Sequence, residues 1–291
     1  MGAACEIAWL NGRFLPLAEA RISPLDRGFL FGDAVYEVLP VYAGRVYRLE
    51  QHLDRLDRSL REIRIGPTLG HDAWRRVCGG LVARNGGGDL LLYLQVSRGV
   101  ETERMHVPGP DVEPTVFCCA SRLPPPREDL LERGVACVTA QDNRWGRCDI
   151  KSTALLANVL LKWQAQDAGA AEAILLRDGQ LTEGSTSSVH VVRDGGLVTP
   201  PQSPRVLPGT TRGVLEEIAR RCDVPWRVGD ISDVELQHAQ ELILASAGGG
   251  LRAVTQLDGQ VVGTGRPGPV FRKLCETWLA TRGEFSTECA E

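Results

Sequence analysis

The sequence predicts a two-domain α/β protein, and three observations support this prediction. A chain of 291 residues is long enough to bury two separate hydrophobic cores. Its apolar residues follow strand-like spacing in some segments and helix-like spacing in others. Residues 124–126 are three consecutive prolines, which fit neither a central strand nor a helix interior. We therefore place a small first domain at 1–120, a linker at 121–127 and a larger second domain at 128–291.

The first domain is predicted to open with a β-hairpin, because Asn11-Gly12 suits the positive φ angles of a tight turn. Its arms are expected at 6–10 and 13–17, and a glycine-punctuated loop at 26–33. Further strands are expected at 34–42, 45–48, 90–97 and 116–120, and amphipathic helices at 50–63 and 71–84. A polar loop at 98–110 precedes the last of these strands.

The second domain is predicted to contain both strands and helices. Strands are expected at 135–139, 172–176, 181–185, 187–192 and 241–245, and a hairpin at 254–262 that turns at Asp258-Gly259. Helices are expected at 128–133 and 153–168, from the segment 207–212 onward, and at 269–281. A polar tail completes the chain.

The composition excludes several classes of protein. A net charge of −4 argues against a nucleic-acid-binding surface. No apolar run approaches the roughly 18 residues that span a bilayer, and the N-terminus lacks a basic residue ahead of an apolar core, so a cytoplasmic protein with no membrane partner is expected. The nine cysteines are expected to be reduced and mostly buried, and neither they nor the five histidines form a zinc signature. No metal site is predicted.

Lys151 is a candidate catalytic residue because lysine is scarce in this chain. Of 33 cationic residues only Lys151, Lys162 and Lys273 are lysines. A primary amine can lose its proton when it is desolvated and can then form an imine, which a guanidinium cannot do. Lys151 follows a β-like segment and precedes a helix with an apolar stripe, a position from which a side chain can point into a cleft. An ordinary solvated lysine is the alternative.

Two further features of the second domain invite a chemical interpretation. Glu183 lies among short hydroxylated residues, where a carboxylate is either a solvated loop acid or a catalytic group. Gly209, Thr210 and Thr211 begin a helix, where backbone donors, two hydroxyls and the helix dipole favour an anion such as phosphate. Simple capping by threonine explains the same residues equally well. The segment 246–250 ends in three glycines, where the backbone can approach a ligand closely.

An imine-forming lysine, a carboxylate and an anion site are together what pyridoxal phosphate requires. Four segments carry a specific resemblance: Asp26–Glu37 with its Asp-Arg-Gly and Phe-Gly-Asp tripeptides, His52–Leu56, Arg147–Ser152 and Thr182–Ser185. In order and spacing they resemble the fold-type IV pyridoxal-phosphate enzymes over nearly the whole chain, and most closely the D-amino-acid aminotransferases. The resemblance implies a two-domain α/β fold with the cofactor in the interdomain cleft.

The resemblance also implies a role for individual residues. Lys151 matches the lysine that holds the cofactor aldehyde as a Schiff base and moves the substrate α-proton. Glu183 matches the acid that pairs with the pyridinium nitrogen. The remaining cofactor-binding positions are Arg55, Thr210 and Thr211 at the phosphate, together with Thr186, Leu207, Ser246 and Ala247. The substrate-binding positions are Tyr36 and Val38, with Arg104 and His106 as a pair that receives the substrate carboxylate from the partner subunit.

The chain departs from the family pattern at a few positions. Ser188 stands where asparagine is usual, and His190 where a large apolar residue is common. Ala247 replaces a threonine whose hydroxyl usually binds the phosphate, a loss of about 1–2 kcal/mol unless Ser246 and backbone amides compensate. Pro40 stands where these aminotransferases can carry a lysine, which leaves the side-chain preference open.

The implied function is transamination between a D-amino acid and a 2-oxo acid, either 2-oxoglutarate or pyruvate, by a ping-pong mechanism in a homodimer. Three alternatives remain at this point: an aminodeoxychorismate lyase, a branched-chain or (R)-amine transaminase, and a weakly active homologue that binds pyridoxal phosphate.

Overall fold

A computed structural model describes residues 2–66, 68–125 and 128–289. The strands are β1 (Ile7–Leu10), β2 (Arg13–Pro16), β3 (Ala34–Tyr42), β4 (Arg45–Tyr47), β5 (Leu90–Ser97), β6 (Thr115–Arg122), β7 (Val135–Gln141), β8 (Glu172–Arg177), β9 (Gln180–Gly184), β10 (Ser188–Arg193), β11 (Gly196–Thr199), β12 (Trp226–Val228), β13 (Glu241–Ser246), β14 (Gly250–Leu257), β15 (Gln260–Val261) and β16 (Ser286–Thr287). The helices are α1 (Arg27–Phe31), α2 (Leu49–Glu62), α3 (His71–Arg84), α4 (Glu128–Arg133), α5 (Leu156–Asp167), α6 (Thr210–Arg221), α7 (Asp233–Gln237) and α8 (Pro269–Thr281), with a 3-10 turn at Leu17–Glu19.

The chain divides into two compact units. The first unit comprises Met1–Pro124, Ile150–Ala154 and Arg282–Glu291, and the second comprises Pro125–Asp149 and Leu155–Thr281. Of the expected linker, Pro126 and Arg127 lie outside the described residues. Among the described residues, none of the helices combines the length and the apolar composition of a transmembrane span.

The first unit is built on a sheet with the strand order β16-β4-β3-β5-β6-β1-β2, in which every pair of neighbours is antiparallel. The helices α2 and α3 cover one face, because each is amphipathic and buries an apolar stripe. Leu53 and Leu56 of α2, Trp74 of α3, and Leu39 and Leu92 of the sheet are fully buried in the resulting core. The side chains of β3 that point to the other face of the sheet, away from α2 and α3, are available for a functional site.

The second unit is built on a mixed sheet with the strand order β12-β11-β10-β13-β14-β7-β8-β9, and β15 pairs with β14. β7 runs parallel to both β8 and β14, and β11 runs parallel to β12. The remaining pairs are antiparallel. Its main core contains Ile174, Val191, Leu242 and Leu244, which are all buried.

Most predicted elements are confirmed with shifts of a few residues at their ends. The first hairpin turns at Asn11 and Gly12, whose φ angles are 45° and 95°. The loop expected at 26–33 is wrong in part, since it contains the single-turn helix α1, capped by the Asp26 carboxylate and ended by left-handed Gly32. The short elements β11, β12 and α7 were not predicted, because three to five residues carry too little periodicity.

Two segments expected in the second domain group with the first unit instead. Ile150–Ala154 does so because its backbone pairs with the start of β3: Ser152 forms a bridge with Val35. The tail at Arg282–Glu291 does so because β16 pairs with β4. The helix expected from residue 153 begins at Leu156, so Lys151 lies in an irregular segment anchored by a strand.

Candidate active site

Lys151 is held by main-chain bonds to the first unit. The Tyr36 amide donates to the Lys151 carbonyl over 3.0 Å, and the Thr153 amide donates to the Ala34 carbonyl over 3.0 Å. The Lys151 amide itself donates to Ser59 Oγ over 3.4 Å. These bonds fix the backbone on both sides of Lys151, so the orientation of its side chain depends on β3 and α2.

The lysine amine lies over an aromatic ring. Lys151 Nζ is 4.2 Å from the centroid of the Tyr36 ring, and Tyr36 stacks on Tyr93 at 5.6 Å. Tyr36 pairs with Gln95 and Val38 pairs with Tyr93 across β3 and β5, so these four side chains share one face of the sheet. The Tyr93 hydroxyl donates to Gln95 Oε1 over 2.6 Å. The predicted substrate residues Tyr36 and Val38 therefore lie on the face that carries the lysine.

Arg55, predicted at the phosphate, forms a buried ion pair within the first unit. Its Nε and Nη2 donate to the two Glu37 oxygens over 2.7 and 2.8 Å, and His52 Nδ1 lies 2.7 Å from Glu37. Burial alone would raise the pKa of Glu37, but the adjacent Arg55 charge outweighs it, and the pKa lies well below its usual range. Burial lowers the pKa of His52, so its imidazole is neutral. Glu37, which the sequence interpretation left without a role, orients the Arg55 guanidinium.

Arg104 and His106 are brought together around one phenylalanine. The Arg104 guanidinium lies 4.7 Å from the Phe31 ring centroid, and the His106 ring lies 5.6 Å from it. Both side chains are exposed on the loop predicted at 98–110. Within the described residues Arg104 makes no hydrogen bond or ion pair. A guanidinium and an imidazole on one aromatic platform are suited to bind a carboxylate.

In the second unit Glu183 is buried and receives two hydrogen bonds. Arg144 Nη1 donates to its Oε1 over 2.5 Å, and the Leu207 amide donates to its Oε2 over 3.1 Å. Burial raises the pKa of Glu183, although Arg144 and the Leu207 amide act in the opposite direction. Glu183 is therefore no solvated loop acid. Leu207, predicted at the cofactor, uses its amide to hold this carboxylate.

Arg144 is a residue of this site to which the sequence interpretation gave no role. Its Nε and Nη2 donate to the two oxygens of Asp142, each over 2.9 Å. Asp142 also accepts from the Thr182 hydroxyl over 2.9 Å and pairs with Arg177 over 3.0 Å. Asp142 thus holds the guanidinium that faces Glu183. The only sequence signal for this pair was the Asp-x-Arg spacing of Asp142 and Arg144 between a strand and Lys151. The same spacing also occurs in solvated ion pairs, and only burial in the structure distinguishes the two cases.

The N-terminus of α6 has the form of an anion site. Gly209 is its N-cap, and in the part of the chain that the structure describes no side-chain hydrogen bond caps the helix there. Amides of a first helical turn have no partner within the helix, and the helix dipole adds positive charge there. Thr210 and Thr211 open this turn. A Cβ at Gly209 would lie 2.8 Å from Ser188 Oγ, so a larger residue at 209 would require the Ser188 side chain to move. The predicted phosphate-binding residues Thr210 and Thr211 fit this interpretation.

Other predicted positions have partners within their own unit. Ser246 Oγ accepts from the Gly249 amide over 3.2 Å, which leaves its hydroxyl hydrogen able to donate, and Ala247 follows in the turn. The Thr186 hydroxyl donates to Glu172 over 2.6 Å, so cofactor binding by Thr186 would use its backbone. Ser185 and Ser187 also donate to the fully buried Glu172. Glu172, unrecognised in the sequence, therefore fixes the turn that follows Glu183.

His190 explains one departure from the family pattern. It is fully buried on β10, its ring lies 5.5 Å from the Trp226 ring, and neither ring nitrogen has a partner among the described residues. Burial, aided by the Arg212 charge, lowers the pKa of His190 to about 3. The imidazole is therefore neutral and fills the space that a large apolar residue would fill.

The donor groups fit pyridoxal 5'-phosphate. The first unit holds a lysine amine beside an aromatic ring, and the second holds a buried carboxylate and an uncapped helix N-terminus. An amine suits the cofactor aldehyde, a carboxylate suits its ring nitrogen, and a helix N-terminus suits its phosphate.

Comparisons with known proteins agree with this chemistry. The family model for class IV amino-transferases matches residues 34–257. The D-alanine aminotransferase of Staphylococcus haemolyticus is 37% identical over 272 residues, which cover 92% of this chain and 95% of that protein. The D-alanine aminotransferase of Bacillus licheniformis is 37% identical over 264 residues, which cover 91% of this chain and 93% of that protein.

Solved structures of branched-chain aminotransferases share the fold. The enzyme of Thermoproteus uzoniensis with norvaline superposes with a TM-score of 0.85 at 25% identity, covering 96% of this chain and 95% of that one. The Escherichia coli enzyme superposes with a TM-score of 0.86 at 22% identity, covering 99% and 96%. The latter likeness shows the fold alone.

The fold and the donor groups define a pyridoxal-phosphate-dependent transferase of fold type IV. More specifically, the chain belongs to the class IV aminotransferases, and its cofactor is pyridoxal 5'-phosphate. Its substrates are accordingly an amino acid and a 2-oxo acid.

Proposed function

We propose that this aminotransferase moves the amino group of a D-amino acid, with D-alanine as the reference donor, to 2-oxoglutarate or pyruvate. The observation that carries the proposal is the pairing of Arg104 with His106 on the Phe31 ring. It offers a carboxylate a cation and a second donor in a fixed arrangement. The 37% identity to two D-alanine aminotransferases supports this choice over the branched-chain enzymes, which are 22% and 25% identical.

Lys151 is the proposed catalytic residue. The bound cofactor supplies an aldehyde for covalent attachment and an electron-withdrawing ring for the reaction at the substrate α-carbon. Lys151 holds that aldehyde, releases it to the substrate amine, and then moves the α-proton with its freed Nζ. Its position over Tyr36 and its main-chain anchors to β3 keep Nζ in one region of the site throughout. Such fixed geometry is what efficient proton transfer requires.

Glu183 is proposed to pair with the cofactor ring nitrogen and to keep it protonated. Its ionised form is required for this role, and the Arg144 guanidinium 2.5 Å away favours that form inside a buried environment. Phosphate binding is assigned to the N-terminus of α6 with Thr210 and Thr211, to Arg55, and to Ser246 in place of the hydroxyl that Ala247 lacks.

A homodimer is part of the proposal, and the exposed face of α5 supports it. Leu156, Val159, Leu160 and Trp163 lie one helical turn apart on α5, and between 44% and 72% of each side chain is exposed. A contiguous apolar stripe of this kind is typical of a protein interface. Trp163→Glu is expected to shift the mass measured by light scattering from dimer to monomer. Gln166→Glu, an exposed position on the same helix, is the matched control and should remain dimeric.

Mixing an inactive variant, Lys151→Ala, with Arg104→Ala, whose KM for D-alanine is expected to be raised, tests whether Arg104 acts in the partner's site. A Lys151→Ala protomer keeps Arg104, and an Arg104→Ala protomer keeps Lys151. If the carboxylate pair acts across the interface, a mixed dimer contains one intact site, and D-alanine turnover with the wild-type KM appears when the two variants are mixed and allowed to exchange. If the pair acts within its own chain, no intact site forms and mixing restores nothing.

The reaction itself is tested by the visible absorbance of the bound cofactor. D-alanine is expected to remove this absorbance, and 2-oxoglutarate to restore it, because transamination stores the amino group on the cofactor between half-reactions. A lyase acting on aminodeoxychorismate would leave the absorbance unchanged with D-alanine. A weakly active homologue would bind the cofactor but respond to no amine. We also place the reaction in the cytoplasm, in keeping with the nine cysteines, which are all free thiols.

A further inference from the structure

Arg27 is a buried arginine to which the proposed reaction gives no role. It is the first residue of α1, and only 4% of its side chain is exposed. Burying a guanidinium is costly unless charges and hydrogen bonds compensate for the lost hydration. We propose that Arg27 is a positioning residue that fixes the loop carrying Arg104 and His106, and so determines the affinity for substrate carboxylates. This inference rests on the proposed function, because it concerns the same carboxylate-binding pair.

The Arg27 guanidinium contacts backbone carbonyls of the tripeptide Arg104-Met105-His106, which carries the proposed carboxylate-binding pair. Nη1 donates to the Met105 carbonyl over 2.5 Å, and Nη2 donates to the His106 carbonyl over 2.9 Å. These two hydrogen bonds hold the backbone of two consecutive residues and so fix its conformation between Arg104 and His106. Side-chain positions on a loop are only as well fixed as the backbone beneath them.

Arg27 also ties this tripeptide to both ends of the loop. Its Nη1 donates to Glu101 Oε2 over 2.8 Å, and Glu101 Oε1 accepts from the Gly109 amide over 2.6 Å. The Arg27 amide donates to the Gly99 carbonyl over 2.8 Å. One arginine therefore links the start, the middle and, through Glu101, the end of a loop that has no regular secondary structure.

Arg27 and Arg104 differ in their partners, because the charge of Arg27 is compensated by carboxylates. Asp33 accepts from Arg27 Nε over 3.0 Å, and Glu101 supplies a second carboxylate. Arg27 lies 4.7 Å from the Phe31 ring, the same ring that carries Arg104 at 4.7 Å. Because Glu101 and Asp33, the latter shared with Arg98, offset the charge of Arg27, the charge of Arg104 is the one offered to a ligand. Arg27 therefore acts through Arg104 and His106, without touching the substrate.

Arg27→Lys tests this role while keeping the positive charge. A lysine cannot donate to two carbonyls and two carboxylates with a planar fork. The KM values for D-alanine and 2-oxoglutarate are expected to rise roughly tenfold, since both substrates present a carboxylate, while kcat changes less than about threefold. The visible absorbance of the bound cofactor should be unchanged. Glu101→Gln, which keeps the shape of the contact, should shift KM in the same direction by a smaller factor.

Two comparisons separate positioning from general damage to the fold. Arg122→Lys is the matched control, because Arg122 also donates to two backbone carbonyls, those of Gly87 and Asn85, in the same unit. It should leave KM unchanged. In an Arg104→Ala background, Arg27→Lys should change KM by much less than in the wild type, because the group it positions has been removed.

Cleavage by trypsin after Arg104 provides a readout that does not depend on turnover. Arg27→Lys holoenzyme should be cleaved there faster than the wild type and Arg122→Lys. Unchanged KM values together with unchanged cleavage would overturn the inference, as would equal KM effects with and without Arg104. If the wild type does not transaminate D-alanine while Arg27→Lys still accelerates cleavage, the proposed function fails and the positioning of the loop stands.

Discussion

Replacement of Arg144 by glutamine is the most informative perturbation of the second unit. Arg144 is the cation beside Glu183, and in the proposed function the Glu183 carboxylate is ionised and pairs with the cofactor ring nitrogen. The substitution removes the charge and keeps a polar but shorter side chain. It leaves Glu183 and Asp142 buried with one cationic partner fewer each.

The magnitude follows from the burial of the pair. The side chains of Arg144 and Glu183 are 6% and 7% exposed, and their closest atoms are 2.5 Å apart. Breaking a buried pair by removing one partner costs about 3–5 kcal/mol, whereas an exposed pair is worth about 0–1 kcal/mol. A loss of about 3–5 kcal/mol in the free energy of unfolding is expected, a large part of the roughly 5–15 kcal/mol of a typical protein. Arg144→Lys, which retains the charge, should lose less.

The pH dependence of kcat provides the second readout. Burial raises the pKa of Glu183, and the positive charge of Arg144 is the largest effect that opposes this increase. Activity requires the ionised carboxylate, so it is present above the pKa of folded Glu183 and is lost as the pH falls through it. Without Arg144 that pKa rises further, and the acid limb of kcat for D-alanine moves to higher pH. Arg144→Lys should move it less.

Arg205→Gln is the matched control for both readouts. Arg205 pairs with Asp178 over 2.9 Å in the same unit, but the two side chains are 48% and 73% exposed. Its loss should change the free energy of unfolding by less than about 1 kcal/mol and leave the acid limb in place. If Arg144→Gln showed an unshifted acid limb with a wild-type kcat, Arg144 would not control the ionisation of Glu183 and the reasoning would be refuted.

Three further predictions concern substitutions of single residues. Lys151→Ala should abolish the visible absorbance of the bound cofactor and lower kcat more than about 1000-fold, since Lys151 is the residue proposed to hold the aldehyde; retained absorbance would contradict the assignment. Glu37→Gln should cost about 3–5 kcal/mol at neutral pH, because it leaves the Arg55 guanidinium buried beside a neutral partner. The pKa of Glu37 is lowered in the folded protein, so its contribution is complete above the ordinary carboxyl pKa and is lost as the pH falls. Urea unfolding should therefore show a difference between wild type and variant that shrinks in acid. His190→Leu should be neutral or stabilising by about 1–2 kcal/mol, because both imidazole nitrogens are buried and have no hydrogen-bond partner among the described residues; strong destabilisation would indicate a bonding role.

Segments with strong local signals were predictable from the sequence. The hairpin at Asn11-Gly12 follows from turn chemistry, and helices such as α2 and α8 follow from the spacing of their apolar residues. The apolar stripe downstream of Lys151 correctly indicated a helix, but much of it is exposed on α5. Periodicity identifies an apolar face and does not reveal what covers it.

The candidate site was only partly predictable, because its supporting residues are defined by contacts distant in the chain. Glu183 and Lys151 could be named from their motifs, and the structure holds each in a specific environment. Arg144 could not be given its role, because its pairing with Glu183 joins positions 39 residues apart. Arg27 stood within a recognised motif, yet its bonds to the loop span 78 and 79 residues. Burial of a charged group is a tertiary property that no local pattern encodes.

A donor screen with matched D- and L-amino acids tests the proposed function most directly. The holoenzyme would be given each enantiomer of alanine, glutamate and leucine with 2-oxoglutarate or, for glutamate, pyruvate as acceptor, and the initial rate of 2-oxo acid formation would be measured. The account predicts turnover with the D-enantiomers, D-alanine among them, and rates at least about 100-fold lower with the L-enantiomers, a difference of about 2.7 kcal/mol in transition-state binding. Preferential turnover of L-leucine and L-glutamate would contradict it and would make the chain a branched-chain aminotransferase in activity as well as in fold.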